Sequence, residues 1–308
     1  RCCPRMKALL VNTNLMRPPV APLGLDYLAD SVRAAGHEPM LLDLCFSTDS
    51  EADIEAASRR GPDVIGCTVR NTDDCYFASG AFFLPGIRDI VSSLRHRCGS
   101  PVVLGGVGFS VMPEAVVEFC GADFGIAGEG EEAFVRLLGA LGSRSDPADV
   151  PGLVFRDARG MHRSQPAEVD LDRLPPRSRS FVDNRRYFAE GGQAGFETRR
   201  GCPMACIYCA DPVAKGRHTR LLPPPRVVDE LRSLVEELVE GMLSVGARLT
   251  PVDRTGLITD LPAVQGDVFA VALHCELLEV GRKPRQILVV REHGLALGAE
   301  EVVVPHPQ

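Results

Sequence analysis

The stretch Lys7–Asn12, KALLVN, begins an alternation of strand and helix signals that decides the fold class of this chain. Such a short, continuous apolar run is typical of a strand buried on both faces of a parallel sheet. An amphipathic stretch at residues 25–35 follows and stops at Gly36, which predicts a helix. Outward from these two elements, strands are predicted at residues 7–12, 38–44, 63–68, 101–105 and 124–127, and helices at residues 25–35, 50–59, 83–97, 113–120 and 131–141.

This alternation predicts an α/β fold whose N-terminal domain, residues 6–142, is a doubly wound parallel sheet of the flavodoxin or Rossmann type. Residues 143–194 are interpreted as a polar linker that contains a hairpin. A second domain is expected over residues 195–240, with an apolar helix face near its end. Residues 241–308 are interpreted as a divergent tail, in which residues 268–273 and 286–290 have strand-like composition.

Composition excludes several classes of protein. The net charge is −7 and no long basic run occurs, so nucleic acid is not the expected partner. No apolar run approaches the roughly 18 residues that a membrane span needs, so a membrane is not expected either. The chain has 11 cysteines, an odd number, of which three crowd into one segment. This usage favours a reducing, cytoplasmic location over a secreted disulfide framework.

The crowded cysteines lie in the segment RRGCPMACIYC, residues 199–209, after a strand predicted at residues 195–198. Cys202, Cys206 and Cys209 have the spacing C-x-x-x-C-x-x-C, which can bind three corners of an iron-sulfur cubane through thiolates. The fourth iron is then open to the amino and carboxylate groups of S-adenosylmethionine. A structural zinc site usually has four ligands, and Cys275 and His218 do not complete one here. A zinc knuckle, three free core thiols and a redox disulfide pair remain the alternatives.

Glycines gather where two predicted strands end. Residues 105–110 (GGVGFS) follow one strand and residues 128–131 (GEGE) follow the next. A doubly wound sheet binds its ligand at these carboxyl ends, and glycine lets a ligand approach the backbone closely. The G-x-G-x-x-G fingerprint of dinucleotide binding is absent after the first strand. The alternative is that these glycines only terminate strands.

The cysteine motif resembles that of the radical SAM superfamily, because Tyr208 supplies an aromatic residue directly before the third cysteine. The first domain resembles the cobalamin-binding domain that precedes the cluster domain in B12-dependent radical SAM enzymes, through residues 18–25, Gly105-Gly106 and residues 128–131. The resemblance implies a [4Fe-4S] cluster, S-adenosylmethionine and cobalamin as cofactors. It implies cofactor contacts at Arg70, Asn71, Thr72, Gly105, Gly106, Val107, Gly108, Phe109, Ser110, Gly128, Glu129, Gly130 and Tyr208.

Arg70 stands where a ligand to cobalt could have been. The D-x-H-x-x-G loop is absent, and the loop after the third strand, residues 69–74, reads VRNTDD. A guanidinium stays protonated and cannot coordinate a metal, so below cobalt it disfavours an axial ligand. The alternative is a surface ion pair between Arg70 and Asp73 or Asp74.

Residues 70–74 together with residues 209–216 are most similar to tryptophan 2-C-methyltransferases among these enzymes. The resemblance implies transfer of a methyl group from S-adenosylmethionine through cobalamin to a carbon, aromatic and indole-like, of a small-molecule substrate. It is compatible with a reducing partner such as ferredoxin or flavodoxin.

The second domain is too short for the family's partial barrel of βα units, because only residues 195–308 remain for it. Three explanations compete: a fragment or fusion, which we favour, a degenerate protein that binds cobalamin without catalysis, or a shortened enzyme completed by a partner. The hypotheses are therefore a methyltransferase, a corrinoid carrier and a zinc-binding protein. No catalytic residue is assigned from the sequence.

Overall fold

A computed structural model describes residues 4–74, 76–244, 268–271 and 288–291, with side chains as far as residue 238. The chain divides into two compact units, Arg1–Leu238 and Val239–Gln308. Beyond residue 244, the described residues of the second unit form an antiparallel pair of strands, Val268–Val271 with Leu288–Arg291. The two strand-like runs of the tail are thus strands, and they pair with each other.

The first unit alternates strands and helices as the sequence predicts. Its strands are β1 (Lys7–Asn12), β2 (Glu38–Asp43), β3 (Val64–Thr68), β4 (Val102–Gly105), β5 (Phe124–Ile126), β6 (Leu153–Asp157), β7 (Gly160–Arg163), β8 (Arg199–Arg200) and β9 (Arg220–Leu221). Its helices are α1 (Leu23–Ala34), α2 (Ser50–Ser58), α3 (Leu84–Cys98), α4 (Val107–Val111), α5 (Pro113–Cys120), α6 (Glu131–Ser143), α7 (Asn184–Ala189), α8 (Asp211–Lys215) and α9 (Pro224–Ser244), the last of which runs past the unit's end.

Seven strands form one sheet in the order β2-β1-β3-β4-β5-β6-β7. Strands β1 to β5 are parallel, so the predicted doubly wound sheet is confirmed. The strand order reverses between β1 and β3, which is the point where such sheets bind ligands. The hairpin β6-β7 adds to β5 in antiparallel fashion and extends the sheet.

Alternating side chains of the strands supply two cores, one on each face of the sheet. On one face, Leu9 and Val11 pack with apolar residues of α2, α3 and α5. On the other face, Ala8 and Leu10 pack with apolar residues of α1 and α6. The strands are apolar on both faces for this reason, as parallel strands covered by helices are.

Helix ends in the first unit follow local chemistry. The Asp49 carboxylate accepts a hydrogen bond from the Ala52 amide and caps α2. Helices α3 and α5 end at Gly99 and Gly121, both with left-handed φ of 66°. Among the described residues no helix is long and apolar enough to cross a bilayer.

The strand predicted at residues 195–198 is wrong. Pairing begins at Arg199 and covers only Arg199 and Arg200, because β9 offers them a partner of two residues. Residues 201–210, here called the cysteine loop, connect β8 to α8.

Candidate functional site

A cavity of about 450 Å³ opens at the carboxyl edge of the parallel sheet. Its floor is formed where four strands end, by Asn12 at the end of β1, Thr68 at the end of β3, Gly105-Gly106 at the end of β4 and residues 128–131 after β5. The start of α1 and Gln193 form another wall. Gln193 is fixed there because its backbone pairs with the strand-like segment at Val20.

The cavity extends inward between the sheet and the helices α1 and α6. Its inner wall is apolar and includes Leu25 of α1, Phe134 of α6, and Val103 and Ile126 of the sheet. Gly66 of β3 also lies in this wall, and a Cβ there would come within 3.2 Å of Leu10 and Phe134. The cavity can therefore take a ligand with a polar body at the sheet edge and a less polar extension between the helices.

Some glycines of the cavity wall are required neither by packing nor by backbone conformation. Gly24, Gly130 and Gly195 have no atom within 4 Å of the place where a Cβ would stand. Gly105 has only the Ile126 carbonyl oxygen, at an ordinary 3.8 Å. None of the four has a left-handed φ. A side chain at these positions would project into free space beside the cavity, so their absence leaves room for a ligand.

Other glycines near the cavity are required by packing. A Cβ on Gly106, whose φ is 104°, would stand 2.7 Å from the Val69 carbonyl oxygen, and one on Gly108 would stand 2.9 Å from the Arg70 carbonyl oxygen. Phe109 is fully buried against Gly125. These residues bring the turn after β4 close to the backbone of the loop after β3, and this contact holds the two cavity-forming segments together.

The predicted cofactor contacts are therefore of two kinds. The cavity wall contains Arg70, Gly105, Gly106, Val107, Gly128, Glu129 and Gly130. Asn71, Thr72, Gly108, Phe109, Ser110 and Tyr208 are not part of that wall. Ser110 acts through the backbone, because its hydroxyl accepts a hydrogen bond from the Gly128 amide at 3.0 Å and donates one to the Gly106 carbonyl at 2.9 Å. It thereby ties the turn after β4 to the turn after β5.

In the loop after β3, Arg70 is half-buried and lines the cavity. Asn71 donates from its amide to the Met16 sulfur at 3.4 Å, and Thr72 bonds Asp73 at 3.2 Å. Within residues 4–74 and 76–238, the guanidinium of Arg70 has no carboxylate partner, and Asp74 instead accepts from Ser79 and the Tyr76 amide. The alternative of an ion pair between Arg70 and Asp73 or Asp74 is not seen.

The cysteine loop carries free thiols at the surface. Cys202 is half-buried, and Cys206 and Cys209 are exposed, so these two are not core thiols. Ile207 and Tyr208 between them are also exposed. No three His, Cys, Asp or Glu side chains in the described part of the chain surround a common metal position. The donor set suits iron-sulfur chemistry, since three soft thiolates lie on one loop and each would bind a different iron of a cubane.

The two ends of the cysteine loop are held together. The Cys202 amide donates to the Gly216 carbonyl at 3.1 Å. Gly201 has a φ of 78°, and a Cβ there would collide with the His218 backbone, so only glycine fits. Glu197 accepts from Arg200 before the loop at 2.9 Å and from Lys215 after it at 3.0 Å.

Arg200 joins the cysteine loop to the sheet edge. Its side chain is 5% exposed and contacts Glu129 at 3.4 Å, Glu197 at 2.9 Å, and Glu131 at the first residue of α6. Burial lowers the pKa of Arg200, but the surrounding carboxylates more than compensate and the net shift is upward. Glu129 also receives two hydrogen bonds from Arg220, at 2.7 and 3.0 Å. The carboxylate of Glu129 thus accepts hydrogen bonds from two arginines of the protein itself.

A second buried group of charges lies beside the first. Arg179, 1% exposed, contacts Asp26 of α1 and Glu230 of α9, at 2.8 and 2.9 Å. Arg177 contacts Glu230 at 2.9 Å and stacks over the Tyr27 ring, and Tyr27 donates its hydroxyl to Glu230. Burial raises the pKa of Tyr27, so the phenol stays protonated.

Sequence reasoning missed these charged groups. Residues 170–186 look like a basic connection, yet Arg177 and Arg179 are buried in it. Glu197 and Lys215 gave no signal, because no sequence pattern marks their pairing, and Glu230 gave none because its partners Arg177, Arg179 and Tyr27 are distant in sequence. A basic residue in an otherwise apolar or Pro-rich stretch is the one hint, since arginine is buried only when it is paired.

The B12 binding domain family matches residues 11–138. The chain is 31% identical to tryptophan 2-C-methyltransferase of Streptomyces laurentii, over 76% of this chain and 48% of that protein. It is 28% identical to hopanoid C-3 methylase of Methylococcus capsulatus, over 70% of this chain and 40% of that protein. The chain spans about half the length, or less, of these relatives.

The fold also matches solved structures of TsrM, a radical S-adenosylmethionine methyltransferase of Kitasatospora setae. One of these structures contains cobalamin and a [4Fe-4S] cluster. It matches this chain with a TM-score of 0.69 and 33% sequence identity, over 76% of this chain and 47% of TsrM. A second structure of TsrM contains tryptophan substrate and the SAM analog aza-SAM, and it also has a TM-score of 0.69. Residues 11–138 thus match a B12-binding domain, and about three quarters of the chain is similar in sequence and fold to TsrM, a radical S-adenosylmethionine methyltransferase.

Proposed function

We propose that this protein is a C-methyltransferase. It would bind cobalamin in the cavity at the sheet edge, and a [4Fe-4S] cluster with S-adenosylmethionine at the cysteine loop. The observation that carries the proposal is the cavity itself. Its wall contains glycines that packing does not require, and Ala214 and Lys215 of α8, the helix that follows the cysteine loop, lie in the same wall. A corrinoid site and a cluster site would thus be neighbours.

The open sheet edge and the apolar inner wall of the cavity support a corrinoid as its ligand. Gly105 and Gly130 leave space at the sheet edge for a broad ring, and the apolar slot between α1 and α6 leaves space for a nucleotide tail. Within residues 4–74 and 76–238, no carboxylate pairs with the Arg70 guanidinium. A guanidinium cannot coordinate a metal. We propose that Arg70 would contact a corrinoid bound in the cavity and would supply no ligand to its cobalt.

When bound, these groups supply a methyl group from S-adenosylmethionine, carried by cobalamin, for transfer to a carbon. The thiolates of Cys202, Cys206 and Cys209 are the proposed cluster ligands, and Tyr208 is proposed at the adenine. TsrM binds tryptophan, and we propose an aromatic, indole-like small molecule as the substrate here. A ferredoxin or flavodoxin is the proposed electron donor for the cluster.

The corrinoid site is tested by titrating the full chain with hydroxocobalamin in a calorimeter. Gly105→Leu places a side chain at the cavity wall, where its Cβ meets no close contact, so we expect it to weaken binding at least about tenfold, or 1.4 kcal/mol. Gly86→Leu is the matched control, since Gly86 is exposed on α3 and also has no atom within 4 Å of its Cβ position. Equal affinity in both variants would place cobalamin elsewhere.

The cluster site is tested by anaerobic reconstitution with iron and sulfide. We expect brown protein with about four irons per chain, the content of a cubane. Cys206→Ala should lose it, and Cys98→Ala, a thiol of α3 outside the loop, should retain it. Colourless protein that still binds hydroxocobalamin would favour a corrinoid carrier. Stoichiometric zinc without iron or sulfide would favour a zinc-binding protein.

A further inference from the structure

The ion pairs at the base of the cysteine loop have no part in the proposed chemistry, yet they are buried and converge on one arginine. Arg200 is followed at once by Gly201 and Cys202, so its position fixes where the loop begins. Two of its carboxylate partners, Glu129 and Glu131, come from the turn after β5 and the start of α6. The third partner, Glu197, is shared with Lys215 at the loop's other end.

The same side chains face the cavity. Glu129, Glu131 and Glu197 line it together with Arg200 and Lys215. A ligand that fills the cavity therefore packs against the groups that hold the cysteine loop. Because the loop ends are also joined by the bond from the Cys202 amide to the Gly216 carbonyl, a restraint at Arg200 or Lys215 acts on both ends.

This arrangement has the features of an energetic link between two sites. One site is the cavity, the other is the loop, and a continuous set of buried ion pairs connects them. Breaking a buried ion pair leaves an uncompensated charge in the interior, so separating these side chains costs free energy. A ligand that stabilises one end of such a link stabilises the other, and the effect is reciprocal.

We propose that Glu131 and Glu129, acting through Arg200, are positioning residues that hold the cysteine loop against the corrinoid cavity, so that cobalamin binding orders the loop. This inference rests on the proposed function, because it takes cobalamin as the ligand of the cavity. It goes beyond that function by assigning a role to carboxylates that touch no cluster atom.

The test is amide hydrogen exchange of the full chain without a cluster, measured with and without saturating hydroxocobalamin. We expect cobalamin to slow exchange over residues 202–216 by about fivefold or more, the range of ordinary couplings between sites. In Glu131→Gln we expect the slowing to fall below about twofold. Glu131→Asp, which keeps the charge, should restore part of it.

The matched control is Glu114→Gln, which removes a carboxylate from an exposed pair with Arg163 at 2.8 Å on α5. It should show the same slowing as the unchanged protein. A purely structural role for Glu131 would raise exchange equally with and without cobalamin and leave the ratio unchanged, which would overturn the inference.

A thermal unfolding curve shows whether Glu131→Gln is folded. Should it be unfolded, Glu129→Gln carries the test, since Glu129 is the other proposed positioning residue and contacts Arg200 at 3.4 Å. Glu129→Gln is then expected to lose the slowing as well, and a retained slowing would overturn the inference. Cobalamin that binds without slowing exchange in the unchanged protein would overturn this inference alone. Failure of cobalamin to bind at all would overturn the proposed function with it.

Discussion

At the scale of single residues, glycine serves two purposes in this protein. Gly125 is required by packing, since a Cβ there would collide with the Phe109 ring. Gly105 is not required by packing, and its absent side chain leaves the cavity open. The two kinds cannot be told apart in the sequence, where both follow or lie in strands, but they predict different responses to substitution.

We expect Gly125→Ala to lower the free energy of unfolding by about 1–3 kcal/mol, as overpacking of a core does. Gly139→Ala, in the interior of α6 with open space at its Cβ position, should raise it by about 0.5–1 kcal/mol through helix propensity. Urea unfolding of the two variants beside the unchanged protein measures both changes. A stable Gly125→Ala protein would show that Phe109 can move away.

Glu197 predicts how stability responds to acid. Burial raises the pKa of this carboxyl, but the charges of Arg200 and Lys215 outweigh burial and hold it below the ordinary value. A depressed pKa contributes stability above the ordinary pKa, and that stability is lost as the pH falls through the folded value. Between about pH 5 and pH 3, the unfolding midpoint in urea should therefore fall more steeply in the unchanged protein than in Glu197→Gln. Parallel curves would contradict this.

At the scale of elements, helix α9 is attached to the first domain by charge as well as by apolar contact. Leu231 and Leu234 are buried, and Glu230 beside them is 3% exposed and faces Arg177, Arg179 and Tyr27. Burying these groups is tolerated because each is paired. The helix is thereby held against α1, from which Tyr27 comes.

We expect Glu230→Gln to lower the free energy of unfolding by about 3–5 kcal/mol, because Arg177 and Arg179 lose a buried partner. Asp229→Asn, one residue away on the same helix, breaks only an exposed pair with Arg232 at 3.3 Å and should change stability by less than about 1 kcal/mol. Thermal unfolding monitored by circular dichroism distinguishes the two. Equal effects would mean that the buried pair contributes no more than the exposed one.

At the scale of the whole molecule, the cavity is assembled from distant parts of the chain. Strand ends before residue 131 meet Gln193, Glu197 and Arg200, so the cavity exists only when the first domain and the start of the cysteine segment are folded together. A ligand bound there binds the folded state and not the unfolded chain, and it must stabilise the assembly.

Hydroxocobalamin at about 100 times its dissociation constant should therefore stabilise the folded chain by about 2.7 kcal/mol, seen as a higher unfolding temperature. Gly105→Leu should show a clearly smaller shift at the same concentration, and Gly86→Leu should match the unchanged protein. A shift of equal size in all three proteins would indicate binding outside the cavity.

Much of the fold could be predicted from the sequence because it depends on local patterns. Apolar runs such as Lys7–Asn12 and the amphipathic stretches between them predicted the strands and helices of the doubly wound sheet, and all five parallel strands are found. The five-residue helix α4 was missed, since one turn of helix leaves no periodic signal, and the two-residue strand β8 was misplaced for the same reason.

The candidate site was predictable in part. Arg70 and the glycines at the strand ends lie in the cavity wall, because the ends of parallel strands meet at one edge. The three cysteines lie on one loop because their spacing in the sequence is short, and their role as cluster ligands stays a prediction. The partners of Glu129 could not be predicted, since Arg200 and Arg220 are far away in the sequence.

What the sequence by itself determined is the order of strands and helices, the edge at which a ligand would bind, and the presence of three neighbouring thiols, all of which follow from periodicity and spacing. Only the tertiary structure decided which glycines leave a cavity open and which merely allow close packing. It also decided that the buried charges tie the cysteine loop to the sheet edge. Burial and pairing are properties of residues brought together from distant parts of the chain, and no local pattern encodes them.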